Sequence, residues 1–307
     1  MKPGVLAIVV LAFSALLFAS AYADSDNRIQ EIGCRIDFNT AVLNSLIATA
    51  PGNSTDLQAS VTLLADDRTQ LTGMQNSTDI RNFNLHYEHD MQQVRQSVSQ
   101  WRSAVGSHLS MSTRASLVLA YKDAQDAYDQ CRFGVLKTMA QQRIDNYNKQ
   151  IAKYQNVSDN WAARGFDTAQ LDSLLQDAQT QLVQPMQAAI VAATDHDSLA
   201  QALNSYCLYD GCTNGTNFHL EAKFDVTKLG IVYNDLQNNS AAFNLASSDL
   251  ATAGQDIADA KATLAQVGTA AYTTGQSQTI YTNVKNASNI IARMLRQVSI
   301  MTEVKLK

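Results

Sequence analysis

Residues 117–161 read LVLAYKDAQDAYDQCRFGVLKTMAQQRIDNYNKQIAKYQNVSDNW, and their apolar side chains recur every three or four positions. This spacing places side chains on one face of an α-helix. The apolar positions are Leu117, Tyr121, Ala124, Tyr128, Cys131, Val135, Ile144, Tyr147, Ile151, Tyr154 and Trp161. The stretch therefore predicts one helix of about 50 residues with a narrow apolar face. Because the phase slips between Val135 and Ile144, we expect a coiled-coil stutter there.

The same spacing predicts helices along most of the remaining chain. They begin near Ile29, Ser54, Thr78, Asp167, Asp197, Ala222 and Gln276. The helix from Ala222 is expected to continue without a break to Val267, and Pro185 is expected to kink or split the helix around it. Narrow apolar faces are buried only against similar faces. The sequence therefore predicts an all-α protein of long antiparallel coiled-coil-like helical hairpins that form an elongated bundle within one chain.

The composition supports a folded helical protein and excludes several other classes. With 46% hydrophobic and 17% charged residues, the chain has enough apolar surface to fold and is not a disordered protein. Its 13 glycines and 3 prolines are too few for an all-β sandwich or for the glycine-rich loops of nucleotide-binding folds. The formal net charge is −5, and the 23 Lys and Arg residues form no dense runs. Nucleic acid is therefore not expected as a partner.

The N-terminus has the pattern of a secretory signal peptide. A basic residue precedes the uncharged run 4–23, and the small residues Ala21 and Ala23 precede Asp24 as at a signal-peptidase site. The alternative is a retained anchor, because a run of this length could span a bilayer. We expect residues 1–23 to be removed and the mature chain to be secreted or held at the cell surface. Contact with a membrane is expected only if the segment is retained.

The mature chain is expected to form two helical halves. Gly165 ends the long helix, so the halves comprise residues 24–164 and 165–307. The second half contains a loop at 207–221 between two predicted helices, and we expect a disulfide to close this loop.

An even number of cysteines in an exported chain indicates disulfides rather than free thiols. The four are Cys34, Cys131, Cys207 and Cys212. Three pairings are open. We favour a short bridge from Cys207 to Cys212, which leaves Cys34 and Cys131 to join two distant helices. A zinc site is disfavoured because only one pair of cysteines is close in sequence.

Asn-x-Ser/Thr triplets are candidate glycosylation sites in an exported protein. They begin at Asn53, Asn76, Asn156, Asn214, Asn238 and Asn286. Export makes glycans on some of them an expectation, whereas in a bacterial host most of these sites would stay unmodified.

The segment 210–221, which includes Cys212, matches part of the calcium-binding pattern of helix-loop-helix calcium proteins. Asp210, Asn214 and Glu221 stand where oxygen ligands are needed, and Gly215 stands where the backbone turns around the ion. Cys212 occupies another ligand position, and a glycan on Asn214 would remove a second ligand. We therefore favour a disulfide-closed turn, and calcium is the one cofactor that the sequence leaves open.

The run His86-Tyr87-Glu88-His89-Asp90 carries side chains that could bind a transition metal, because His86 shares a helix face with His89 and Asp90. Metalloprotease spacing is absent, so we favour a solvent-exposed polar face. The sequence contains no nucleophile, phosphate-loop or dinucleotide motif, and the protein is not expected to be an enzyme.

These features favour a secreted or cell-surface helical scaffold that acts through contacts with other proteins, including a second copy of itself. Two alternatives remain open. One is a soluble extracytoplasmic binding protein with a ligand or calcium site at the 207–221 loop. The other is a coiled-coil envelope chaperone, although the acidic net charge argues against arms that attract clients with basic residues.

Overall fold

A computed structural model of the chain describes residues 20–50, 52, 54–74, 77–105, 108–203, 220–266 and 274–305. All regular secondary structure in these ranges is helical, and no strand occurs among them. The prediction of an all-α protein is therefore confirmed. The predicted signal peptide, residues 1–23, lies almost wholly outside the described ranges and stays a prediction.

The chain follows a simple order of helices. They are α1 (Ser20–Thr49), α2 (Thr55–Thr72), α3 (Ser77–Val105), α4 (Met111–Ala162), α5 (Ala169–Ala178), a π-helical segment (Gln179–Val183), α6 (Gln184–Ala192), α7 (His196–Leu203), α8 (Leu220–Asn238), α9 (Ser247–Leu264) and α10 (Thr274–Lys305). The 52 residues of α4 confirm the long helix predicted from its apolar spacing. None of the helices in the described ranges has the length and apolar content needed to cross a membrane.

The described residues pack in two units. The N-terminal unit contains the described residues of 20–139 and 193–200, and the C-terminal unit contains those of 140–192 and 201–305. The boundary falls inside α4. Next to it, Val135 and Leu136 are both buried, which is the shift in phase that the sequence predicts at this part of the helix. The predicted division at Gly165 stays a prediction.

In the N-terminal unit, α1, α2 and α3 pack against one another. The residues of their shared core are Ile32, Ile36, Leu43, Leu57, Leu64, Leu71, Ile80, Phe83, Tyr87, Val94, Trp101 and Val105. A disulfide between Cys34 and Cys131 joins α1 to α4, with the two Cα atoms 5.9 Å apart. This confirms the predicted pairing of the two cysteines.

In the C-terminal unit, α8, α9 and α10 pack against one another, and α5 packs on α8. The second half of α4 contributes aromatic side chains to these cores. Tyr154 stacks on Phe224 of α8 with ring centroids 4.2 Å apart, and Trp161 belongs to the core of α8, α9 and α10.

The prediction of one helix from Ala222 to Val267 is wrong, because the chain turns between α8 and α9. Asn244 has a φ of 47°, and the Leu245 N–H donates to the carbonyl of Ser240 at 3.0 Å. Asparagine adopts this left-handed conformation more readily than most residues. The turn brings α9 back against α8, so that the apolar faces of the two helices are buried together.

The expectation that Pro185 interrupts its helix is confirmed. The π-helical segment Gln179–Val183 separates α5 from α6, and Pro185 follows at the second residue of α6. Proline has no N–H to donate to the carbonyl four residues earlier, and its ring crowds that carbonyl. A wider turn before Pro185 relieves both problems while the chain stays helical.

Candidate functional site

Two aspartates occupy positions on the buried faces of α2 and α3. Asp67 follows Leu64 at a spacing of three, and Asp90 follows Tyr87 at a spacing of three, so each stands where an apolar residue normally packs. The residues are only 1% and 2% exposed. Burial of this degree is rare for an aspartate that lacks a charged or metal partner.

His86 completes a cluster with these two aspartates. It lies one helical turn before Asp90 on α3, and its Nε2 is 3.2 Å from Oδ2 of Asp90. One ligand atom from each of the three side chains falls within a group in which no two atoms are more than 4.8 Å apart. The His86 side chain is 51% exposed, so the cluster reaches solvent through the imidazole.

The surroundings of Asp67 in the cluster strongly raise the pKa of its carboxyl. The pKa of this carboxyl is raised from 3.8 to about 6, chiefly by burial and then by Asp90, through its charge and through a hydrogen bond with the protonated form. Asp66 adds a smaller effect in the same direction, whereas His86 lowers the pKa. Arg68, the next residue of α2, is directed toward Asp37 of α1, with Nε 3.2 Å from Oδ1.

The raised pKa of Asp67 weakens the folded protein at neutral pH. The unfolded chain ionises Asp67 at its ordinary pKa of 3.8, whereas the folded protein ionises it near pH 6. Between these values the folded state holds more protons, so the free energy of unfolding falls as the pH rises. Above about pH 6 the full cost of ionising Asp67 is present.

The two carboxyl groups also contain buried atoms without a hydrogen bond. Among the described residues, no donor satisfies Oδ2 of Asp67 or Oδ2 of Asp90, because the contact from His86 has an ion-pair distance but not hydrogen-bond geometry. Ionised carboxylates only accept hydrogen bonds. A shared proton or a cation between them would satisfy both.

A second polar group lies beside this cluster. The Asn39 side-chain amide of α1 donates to the Tyr87 hydroxyl at 3.2 Å and to Sδ of Met91 at 3.6 Å. Burial raises the pKa of the Tyr87 hydroxyl, an effect that the hydrogen bond from Asn39 opposes. The tyrosine is therefore a neutral hydrogen-bond acceptor at physiological pH.

The sequence revealed only part of this cluster. From its spacing we expected His86, His89 and Asp90 to form a solvent-exposed polar face, with a transition-metal site as the alternative. His86 and His89 are exposed, whereas Asp90 is buried, so that interpretation is wrong for Asp90. Asp67 was missed, although the sequence places it between Leu64 and Leu71 in the apolar spacing of α2. A polar residue in such a position is the signal that could have found it.

The N-terminal unit also has an exposed apolar surface along α1 and the start of α4. A groove of about 270 Å³ lies there, and its lining residues are Val42, Ser45, Leu46, Leu117, Val118 and Tyr121. Near it, Phe38 of α1 contacts the rings of Tyr121 and Tyr128 of α4, with centroids 5.7 and 5.3 Å apart. We call this feature the α1–α4 groove.

Several predicted site residues lie outside the described ranges. They are Asn53, Asn76, Cys207, Asp210, Cys212 and Asn214. The Cys207–Cys212 disulfide and the calcium loop at 207–221 therefore stay predictions. Glu221, the last proposed calcium ligand, lies in the first turn of α8, where burial and then Asp225 raise the pKa of its carboxyl. The sequons at Asn156, Asn238 and Asn286 lie on exposed helix surface, and glycosylation there also stays a prediction.

No protein-family model, curated protein or solved structure matches this chain.

Proposed function

We propose that this protein is a secreted or cell-surface helical scaffold that acts through protein contacts and has no enzymatic activity. The observation that carries the proposal is the α1–α4 groove together with the exposed start of α4. Val118 and Leu119 are 68% and 62% exposed, and Met111, one heptad before Val118, is 84% exposed. Contiguous exposed apolar surface of this kind marks interaction sites in soluble proteins.

The exposed apolar residues are concentrated on one short stretch. Among the described residues, four of the seven exposed large apolar side chains lie in the first eleven residues of α4. The remaining three are Leu85, Val191 and Tyr281, each on a different helix. Isolated apolar side chains need no partner, whereas a cluster beside a groove favours one.

The partner that best fits this surface is a second copy of the chain. The groove and the exposed ridge at Val118 and Leu119 lie on the same unit and share Val118, which also lines the groove. A two-fold symmetric contact needs this arrangement, because each copy must offer the surface that the other copy receives. The ridge of one copy would then fill the groove of the other.

The wider proposal has separate support. The signal-like N-terminus and the Cys34–Cys131 disulfide favour an oxidising compartment outside the cytoplasm. The three sequons on exposed helix surface leave space for glycans. Long antiparallel coiled-coil hairpins in an elongated bundle remain part of the proposal, because they would suit a spacer or scaffold.

Light scattering coupled to size-exclusion chromatography tests the contact, with Val118→Asp compared with Val191→Asp. Both replaced valines are exposed on helices, and Val191 belongs to the C-terminal unit and does not line the groove. We expect the wild type and Val191→Asp to approach the mass of a dimer as the concentration rises to about 100 µM, and Val118→Asp to stay monomeric. A monomeric wild type at that concentration, or the same mass for both variants, would contradict the self-contact.

A further inference from the structure

We propose that Asp67, His86 and Asp90 bind a divalent transition-metal ion, and that zinc fits them best. The site joins α2 to α3, because Asp67 lies on the first helix and the other two ligands lie on the second. It shares no residue with the lining of the α1–α4 groove. Its role would be to hold the two helices together.

The spacing of the ligand atoms suits a small ion. A tetrahedral zinc ion with bonds of 2.0–2.1 Å holds its ligand atoms about 3.3 Å from one another. The Nε2 of His86 and Oδ2 of Asp90 are already 3.2 Å apart, and the full set lies within 4.8 Å. A modest rotation of the carboxyl groups would complete a three-ligand site with a water molecule as the fourth ligand.

The buried carboxylate oxygens provide an independent reason for a cation. Both Oδ2 atoms are inaccessible to solvent and receive no hydrogen bond from the described residues. A proton between the two groups neutralises one negative charge, whereas a divalent ion neutralises both and coordinates the oxygens directly. Buried charges in proteins are normally paired or coordinate metals.

The two carboxylates and one imidazole of the cluster favour zinc over calcium and magnesium. Calcium takes six to eight oxygen ligands, and magnesium prefers an octahedron of oxygens, whereas this cluster offers two carboxylates and one imidazole. Zinc accepts this mixture of oxygen and nitrogen ligands at low coordination number. The half-exposed ring of His86 provides a route from solvent to the two buried carboxylates.

Zinc titration by calorimetry of the tag-free full chain, after removal of metals with a chelator, tests the proposal. We expect one zinc ion per chain and a higher midpoint of thermal unfolding with zinc present. Asp67→Asn and His86→Ala should each weaken zinc binding by at least about 100-fold, because loss of an outer-shell partner alone costs 10- to 100-fold. His86→Ala changes an exposed side chain, so this variant should keep the wild-type circular dichroism spectrum.

The controls are neighbours of the same chemistry. Asp66 and His89 are exposed and do not belong to the group of ligand atoms, so Asp66→Asn and His89→Ala should bind zinc as the wild type does. Absence of zinc binding by the wild type would overturn the proposal. So would binding that survives both Asp67→Asn and His86→Ala, or binding that is lost in His89→Ala. Binding of calcium in preference to zinc would also overturn the choice of metal.

Discussion

Replacing Cys34 and Cys131 together by alanine removes the covalent connection between α1 and α4, and we expect it to destabilise the N-terminal unit. The two cysteines are 97 residues apart in sequence. The chain-entropy model for a loop of this length gives about 4.7 kcal/mol at 25 °C, and measured contributions are commonly 2–4 kcal/mol. We therefore expect the free energy of unfolding to fall by about 2 to 5 kcal/mol. Alanine is preferred to serine because Cys34 is only 2% exposed, and a buried hydroxyl would add its own cost.

The two tryptophans allow this loss to be assigned to one unit. Trp101 lies in the core of the N-terminal unit and Trp161 in the core of the C-terminal unit. In a Trp161→Phe background, urea unfolding followed by tryptophan fluorescence reports on the surroundings of Trp101 alone. The alanine pair should lower the urea midpoint of this signal, and reduction of the parent protein should lower it equally. A midpoint that shifts by the equivalent of less than about 1 kcal/mol would refute the entropic argument for this loop.

Three further changes have outcomes that the structure specifies. With a chelator present, Asp67→Asn should raise the free energy of unfolding by about 1 to 3 kcal/mol at pH 7 and by only about 0.5 kcal/mol near pH 4, because the folded carboxyl is protonated at the lower pH. Asp66→Asn should change little at either pH, and urea unfolding at both pH values measures this. Phe224→Ala should cost about 3 to 5 kcal/mol, because it empties a fully buried site, and chemical denaturation measures the loss. Gly134→Ala should stabilise α4 by about 0.5 to 1 kcal/mol, because an added Cβ there meets nothing within 4 Å; a smaller midpoint shift in thermal unfolding would contradict this.

The helical class and the long α4 could be predicted because both depend on a repeated pattern. Each additional turn of α4 repeats the same apolar spacing, so an error at one residue does not change the interpretation of the whole stretch. The pairing of Cys34 with Cys131 could be reached by elimination, once the close cysteines at 207 and 212 were assigned to each other. For the helical class, for α4 and for this disulfide, the sequence alone was sufficient.

The turn between α8 and α9 could not be predicted from periodicity. Phe243 and Leu250 keep the heptad phase across the turn, and Phe243 still packs against the core although it no longer belongs to a helix. The interruption comes from local backbone preferences at Asn239 and Asn244. The Asn239 side chain donates to the carbonyl of Asp235 at 2.8 Å, so it interacts with the end of α8.

The aspartate cluster was missed for a different reason. Apolar spacing counts only apolar residues, so Asp67 left a gap in the pattern of α2, and Asp90 was interpreted by its charge. Whether such residues are buried depends on which helix covers them, and that is a property of the packing of α2 against α3. Polar residues at the expected apolar positions of two adjacent helices are therefore worth examining as pairs.

The hydrogen bond between Asn39 and Tyr87 has a consequence for the alignment of α1 with α3. A slide of α1 by seven residues in either direction would bring Ile32 or Leu46 to the place of Asn39. Most core positions of α1 would still receive an apolar side chain after either shift, so apolar contacts alone discriminate weakly between these alignments. The buried Tyr87 hydroxyl would then lose its donor, at a cost of about 1 to 3 kcal/mol. The Asn39 amide therefore favours the observed alignment of α1 with α3 over the alignments shifted by seven residues.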